Sequence, residues 1–244
     1  MYYLTLDIGN SKTKLAVFNK EQLIYKKTFA SNHPSGIEDI ILKFKIKHSI
    51  ISAVKAIPTS IIDMLNEHTK PVVLHGLLDL PLAIKYMDKK KLGSDRIAGI
   101  VAAKSRFPKQ PVLVIDTGSC ITYDIADAEG NFLGGQITPG LRMRLKAMHH
   151  FTDALPAVAI PEEVPMLGRS TAEAMQSGAF LGIVHEMNGF IRQYKDEFED
   201  LEVLLTGGNS HLFVPSLKYE IFADPYLIMT GLNLILQYHV ERHQ

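Results

Sequence analysis

The sequence predicts an α/β fold made of two similar halves, each a mixed sheet with helices packed against it. Two observations carry that prediction. The first is a device written twice: Leu4 to Phe18, LTLDIGNSKTKLAVF, and Val112 to Asp124, VLVIDTGSCITYD, each run from an apolar β-forming stretch to an acid, one further residue and a glycine, then into a second stretch of β character. The second is the alternation of such strands with amphipathic, helix-spaced segments, which requires a sheet covered by helices.

In each hairpin the glycine, Gly9 or Gly118, lets the main chain turn tightly, so that successive N–H groups can point into one concavity. The acid, Asp7 or Asp116, stands where its strand stops and can hold a cation, and Ser119 adds a hydroxyl. A single D-x-G is more often an ordinary turn after a core strand. The repeat is what points to phosphate: two like halves suggest a duplicated fold that clamps a nucleotide's phosphates between the copies, the geometry of phosphoryl transfer.

Along the chain, Ser35 to Lys47 places Ile37, Ile40, Ile41 and Phe44 at helical spacing beside lysines, an amphipathic cover helix. Ile50 to Pro58 reads as a strand, Ile61 to His68 as a short helix and Pro71 to Leu74 as another strand. Leu80 to Tyr86 leads to the run Lys89 to Lys91, which is either a solvated surface or a means of steering anions. Gly93-Ser94-Asp95-Arg96 then opens a small-residue helix, with Ser94 a plausible N-cap and Asp95 in the positive first turn. The functional alternative presents acid and arginine side by side to a cleft, one to accept a proton and the other to bind a carboxylate.

After the central hairpin the chain turns at Asp127 to Gly130 and returns as a strand over Phe132 to Ile137. Its paired Gly134 and Gly135 mark either close approach by a ligand or another backbone, or a bulge. Leu141 to His150 is helical. Phe151 to Gly168, with Pro156, Pro161 and Pro165, is a loop or lid candidate. Thr171 opens a long helix to about Phe198, whose Ala174, Gly178 and Gly182 form a ridge suited to close packing within the monomer or across a dimer. Leu201 to Leu205 is a strand running into a third glycine turn, Thr206-Gly207-Gly208-Asn209, which could contact a base or sugar; Met229 to His239 is a closing helix. The halves divide near Lys109, giving domains 1–109 and 110–244.

Bulk properties exclude several functions. Lys+Arg and Asp+Glu both total 26, so no net field recommends a nucleic acid or an anionic membrane. The start, MYYLTLD, lacks a basic n-region and a long apolar run, so no secretory signal is visible, and no segment is apolar enough to span a membrane. The one cysteine, Cys120, cannot form an intramolecular disulfide and suits a reducing cytosol; a small residue behind the phosphate turn is a better account of it than a nucleophile. There is no H-E-x-x-H, no Cys/His cluster and no G-x-x-x-x-G-K-S/T loop.

With these pieces in order, the chain resembles the type III pantothenate kinases, a branch of the actin, sugar kinase and Hsp70-like superfamily. The resemblance rests on DIGNSKTK, GSDR, DTGSCITYD, GGQITPG, GRSTAEAMQSG and TGGN, in the family's order and at about its spacings. It implies a duplicated ribonuclease H-like (actin-like ATPase) fold and ATP-dependent phosphorylation of pantothenate on its terminal hydroxyl, the first step of coenzyme A synthesis. It further implies Mg²⁺ carried with ATP, a monovalent cation (K⁺ or NH₄⁺), and a homodimer with the substrate site near the interface.

Carried over by the resemblance, Asp7, Ile8, Gly9, Asn10, Ser11, Lys12, Thr13 and Lys14 correspond to the first, ATP-binding phosphate loop, and Ser119 to a further ATP contact. Asp95 corresponds to the general base. Gly93, Ser94, Asp95 and Arg96 line the substrate, as do Tyr86 and Thr171, and Asp116 is the monovalent-cation ligand. Ser11 and Ser119 stand where the family more often has threonine, a change that keeps the hydroxyl. Lys12 and Lys14 are less standard; alternation puts both on one face, near phosphate or merely solvated. Another small-molecule kinase of the superfamily, such as a sugar kinase, is opposed by the GSDR box and the compact length. A non-catalytic regulatory protein is opposed by the presence of Asp95 and the lack of any basic stripe or helix-turn-helix signal.

Overall fold

The structure, a computed structural model, describes residues 1–30, 36–161 and 163–242. Strands β1 (Tyr2–Ile8), β2 (Lys12–Asn19) and β3 (Gln22–Ala30) form an antiparallel meander. Strand β4 (His48–Ala53) lies parallel to β1 and β5 (Lys70–Val73) parallel to β4, so the order across the sheet is β3-β2-β1-β4-β5. Parallel pairing needs crossovers, and α1 (Ile37–Phe44) and α2 (Thr59–His68) supply them. Leu4, Leu6 and Ile8 alternate along β1 into one apolar cluster with Ile37, Ile40 and Ile41 of α1, Ile61 and Leu65 of α2 and Ile51 of β4. Asp7, out of phase by one residue, therefore points to the sheet's other face.

Beyond β5 come the short β6 (Ala83–Ile84), a 3₁₀ turn at Lys89–Lys91 and α3 (Ser94–Arg106). Strands β7 (Val112–Thr117), β8 (Cys120–Ala126) and β9 (Asn131–Pro139) follow, then α4 (Leu141–His150) and the long α5 (Thr171–Glu197). Strand β10 (Glu202–Thr206), α6 (Ser210–Phe213), β11 (Phe222–Ala223) and α7 (Leu227–Arg242) complete the chain. The second sheet has the order β11-β10-β7-β8-β9-β6. Read from β9, the run β9-β8-β7-β10-β11 repeats β3-β2-β1-β4-β5 strand for strand, with β6 added along the outer edge of β9. Asp7 and Asp116 are then equivalent, each the last residue but one of its half's first strand.

Contacts gather the chain into two compact units: Met1–Val112, Ile125–Gly134 and the stretch from Tyr226 onward in the first, Leu113–Asp124 and Gly135–Pro225 in the second. These units are not the sequence halves 1–109 and 110–244, because α7, last in the chain, packs on α3 of the first unit. That packing is backbone to backbone. A Cβ at Gly231 of α7 would stand 1.8 Å from the Ala98 carbonyl oxygen, so only glycine admits α3 there.

Several boundaries differ from those the sequence predicts. The helix expected over 35–47 runs Ile37–Phe44, and Ser35 lies outside the described residues, as does Glu162 of the expected 151–168 loop. The strand expected over 50–58 spans His48–Ala53: Val54 N–H donates to Ile8 O, and Pro58 is already the N-cap of α2. Strand β3 has no counterpart in the sequence-based assignment. At the paired glycines, another backbone makes the close approach: a Cβ on Gly135 would stand 1.7 Å from Tyr123 O of β8.

Gly231→Ala should lower stability in chemical denaturation by about 1–3 kcal/mol through forced separation of two helices. Gly178→Ala on α5, where a Cβ meets nothing within 4 Å, should be neutral or stabilising by about 0.5–1 kcal/mol. Equal effects at the two positions would contradict this packing.

Candidate active site

In the first unit the site begins where β1 ends. The β1–β2 hairpin closes over Asn10 and Ser11, with Gly9 N–H donating to Lys12 O at 3.0 Å. Asn10, Ser11 and Lys12 are exposed, whereas Ile8 and Thr13 are buried and leave only their main chain to a ligand. The register sets Asp7 opposite Lys14 on β2 and Ser52 on β4. Ser52 Oγ donates to Asp7 Oδ1 at 3.2 Å. Burial pushes the Asp7 carboxyl up to about 6, and the nearby charge of Asp95 pushes the same way, while Lys14 and the Ser52 hydrogen bond pull it back. Lys14 is thus an electrostatic neighbour of Asp7 rather than a merely solvated residue.

The start of α3 reaches the same place through β4. Ser94 was expected as the N-cap; the N-cap is Gly93, and no side chain caps the helix. The Ser94 hydroxyl turns instead to β4, 2.9 Å from Ser52 Oγ and 3.1 Å from the Ala53 N–H that donates to it. Buried serines therefore link the Asp7 strand end to the first residue of α3. Asp95 follows, its Oδ1 accepting from the Arg96 N–H at 2.9 Å. A Cβ at Gly93 would lie 2.6 Å from that oxygen, so the glycine makes room for the carboxylate. Burial raises the Asp95 carboxyl above its ordinary value, against the lowering by the Arg96 N–H and charge.

Arg96 is 7% exposed. Its guanidinium carbon lies 5.5 Å from the centroid of Tyr86 and 5.8 Å from that of Phe132. Lys85 N–H donates to Phe132 O, which fixes the Tyr86 segment to β9. Asp7, Gly93, Ser94, Asp95, Arg96 and Tyr86 all belong to the first unit. Asp116, Ser119 and Thr171 belong to the second.

In that second unit three glycine segments far apart in sequence meet around Asp116. Gly118 N–H donates to Cys120 O at 2.9 Å, and Gly140 N–H donates to Ser119 O at 3.1 Å. Gly207, at φ +97°, passes so close that a Cβ would lie 2.4 Å from Asp116 Oδ1. Only glycine meets both demands. Thr117 Oγ1 donates to Thr206 O at 2.8 Å, and Asn209 N–H donates to Thr117 O. The TGGN turn thus wraps the Asp116 strand end. Ser119 is exposed, and Thr171 is the exposed first residue of α5, behind the N-cap Ser170 whose side chain accepts from Glu173 N–H.

A glycine-bent strand end with an acid at its last position but one, written twice, is the arrangement that comparison with known proteins can identify. A family model for type III pantothenate kinases matches residues 3–193. The chain belongs to that family. It is 38% identical over 240 residues to a type III pantothenate kinase of Bacteroides fragilis, covering 98% of this chain and 99% of that one. Among solved structures it is similar to one described as a Baf family transcriptional activator from Campylobacter jejuni, with TM-score 0.63 and 22% identity over 98% of this chain and 99% of that one. It is also similar to an inorganic polyphosphate/ATP-glucomannokinase from Arthrobacter, with TM-score 0.52 and 12% identity over 99% of each chain. At those identities the likeness is one of fold, and the fold of this type III pantothenate kinase is the actin-like, sugar-kinase α/β fold expected from the sequence.

Sequence reasoning missed Ser52. Nothing local marks a serine at the end of a strand, and its partners Asp7 and Ser94 lie 45 and 42 residues away.

The Asp7 shift gives a pH signature of this kinase's unliganded state. A carboxyl raised from 3.8 to about 6 on folding contributes stability that is present below pH 4 and lost as pH rises to about 6. Asp7→Asn, which keeps an acceptor for Ser52, should match the parent's melting temperature near pH 4. It should exceed it above pH 6, by about 2–4 °C per kcal/mol recovered. A pH-independent difference in a thermal-shift series would contradict the burial.

Proposed function

We propose that the chain transfers the γ-phosphoryl group of ATP to the terminal hydroxyl of pantothenate, with Asp95 as general base. The observation that carries this reading is the Asp95 carboxylate: held at the start of α3 by the Arg96 N–H, given room by Gly93, and raised by burial toward the pH at which it would work. Phosphoryl transfer asks the protein mainly to position donor and acceptor and to offset charge. Asp95 accepts the hydroxyl proton as the pantothenate oxygen attacks the γ-phosphorus. Arg96, beside the Tyr86 and Phe132 rings, presents a planar fork that suits the pantothenate carboxylate. Gly93, Ser94, Tyr86 and Thr171 complete the proposed substrate contacts.

The turn from Asp7 to Lys14 and the Ser119 hydroxyl are the proposed ATP contacts. Among the described residues no group of three or more His, Cys, Asp or Glu could hold a metal. Magnesium suits that setting, because it takes one or two carboxylates with phosphate oxygens and water rather than a cage of protein ligands. Asp7, a carboxylate whose charge Lys14 and Ser52 offset only in part, fits as that ligand, and Asp116 fits a monovalent cation, potassium or ammonium. When bound, such ions neutralise phosphate charge. The lone Cys120 supports a cytoplasmic location, and exposed Ala174 and Gly178 along α5 support a homodimer. Equal totals of 26 basic and 26 acidic residues support a small-molecule substrate over a nucleic acid.

A coupled assay with pantothenate, ATP and potassium tests the proposal. The parent should turn over; Asp95→Asn should lose about 10²–10⁴-fold of the rate with ATP binding retained, and sodium in place of potassium should slow the parent. Near-parent activity of Asp95→Asn, or turnover of other acceptors but not pantothenate, would overturn the reading.

A further inference from the structure

Glu186, midway along α5, takes no part in the chemistry above, yet its carboxylate collects three donors from three other elements. Oε1 accepts from the Tyr123 hydroxyl of β8 at 2.8 Å and from the Thr138 hydroxyl of β9 at 2.7 Å. Oε2 accepts from Arg144 Nη2 of α4 at 2.7 Å. Tyr123 is fully buried, and burial together with the Glu186 charge pushes its phenol upward, so it stays a donor throughout the neutral range.

The arginine carries the carboxylate's hold further. Arg144 Nε donates to Pro139 O at 2.8 Å, so the guanidinium bridges α5 to the last residue of β9. The next residue, Gly140, is the N-cap of α4 and donates its N–H to Ser119 O. It lies flat against the phosphate turn: a Cβ there would stand 2.6 Å from Ser119 O and 2.7 Å from Gly118 O. One turn before Glu186 on α5, Gly182 lies under the same guanidinium, 3.7 Å from Nη1 to an added Cβ. A continuous series of short contacts thus runs from Glu186 through Arg144 and the Pro139–Gly140 corner to the main chain of Gly118–Ser119, all within the second unit.

We infer that Glu186 is a positioning residue for the nucleotide: through Arg144 it fixes the Pro139–Gly140 corner that backs the Gly118–Ser119 turn. The inference rests on the proposal that Ser119 contacts ATP. It acts on binding of the donor, because every link from Glu186 to the Ser119 turn lies within the second unit.

The test compares Glu186→Gln with Tyr123→Phe. Glu186→Gln keeps the shape and removes the charge that holds Arg144, whereas Tyr123→Phe removes one donor and leaves the Arg144 arm intact. Three readouts are taken: the Mg-ATP dissociation constant by calorimetry without pantothenate, the KM values for ATP and pantothenate, and the melting temperature. Glu186→Gln should raise the ATP dissociation constant and ATP KM about tenfold, the scale of one charge-assisted hydrogen bond, with pantothenate KM and kcat within about threefold. Tyr123→Phe should lower the melting temperature and leave ATP KM unchanged. Should Glu186→Gln not fold, Arg144→Gln severs the same arm and should weaken ATP equally. A melting-temperature loss without weaker ATP binding, or equal ATP weakening in Tyr123→Phe, would overturn the inference. Parent protein that binds ATP yet fails to phosphorylate pantothenate would instead refute the substrate assignment and leave this one standing.

Discussion

Two partly buried carboxylates brought to one place constrain the whole first unit. Asp7 stands last but one in β1 and Asp95 second in α3, each is raised by burial, and the charge of Asp95 raises Asp7 further. Such an arrangement opposes folding and persists only where the surrounding structure over-determines it. The register that sets Ser52 beside Asp7, the Ser52–Ser94 contact, and the Gly231 packing that seats α7 on α3 all serve to hold those two ends in position. A cation at one carboxylate and a transferable proton at the other would relieve what the unliganded protein endures, the usual relation between an active site and local stability.

The duplication gives this constraint a second form. The strand order β9-β8-β7-β10-β11 repeats that of the first sheet, and Asp116 takes the place of Asp7. The neighbours have diverged. Where Asp7 faces hydroxyl-bearing Ser52, Asp116 is closed over by the main chain at Gly207. One device therefore presents a carboxylate near a second acid, and its copy presents a carboxylate among backbone groups. Under the proposed function, a hard divalent ion carried with phosphate would take the first setting and a monovalent ion the second.

Much of this was legible in the sequence because it is local. Both hairpins, the helix from Ser94, the helix over Leu141–His150 and the long helix from Thr171 follow from apolar spacing, glycine and proline within a few residues. Strand β3 escaped because Lys26, Lys27 and Thr28 interrupt its apolar positions at an edge of the sheet, where exposure on one side is tolerated. The Ser94 hydroxyl was assigned to a helix cap since that is its commonest local use, yet it bonds across 42 residues to Ser52. Glu186 gave no signal because its donors come from 63, 48 and 42 residues away. Contacts closed by the fold, rather than by the turn, are the ones that spacing alone does not disclose.

The most direct test is a carboxyl-carbon NMR titration of the unliganded protein and of Asp95→Asn. Because the two acids are coupled, the midpoints belong to the pair. The account predicts a carboxyl titrating at about 6 in the parent and a lower midpoint once the Asp95 charge is removed. Titration of both aspartates at the ordinary value of 3.8, unchanged by the substitution, would contradict it.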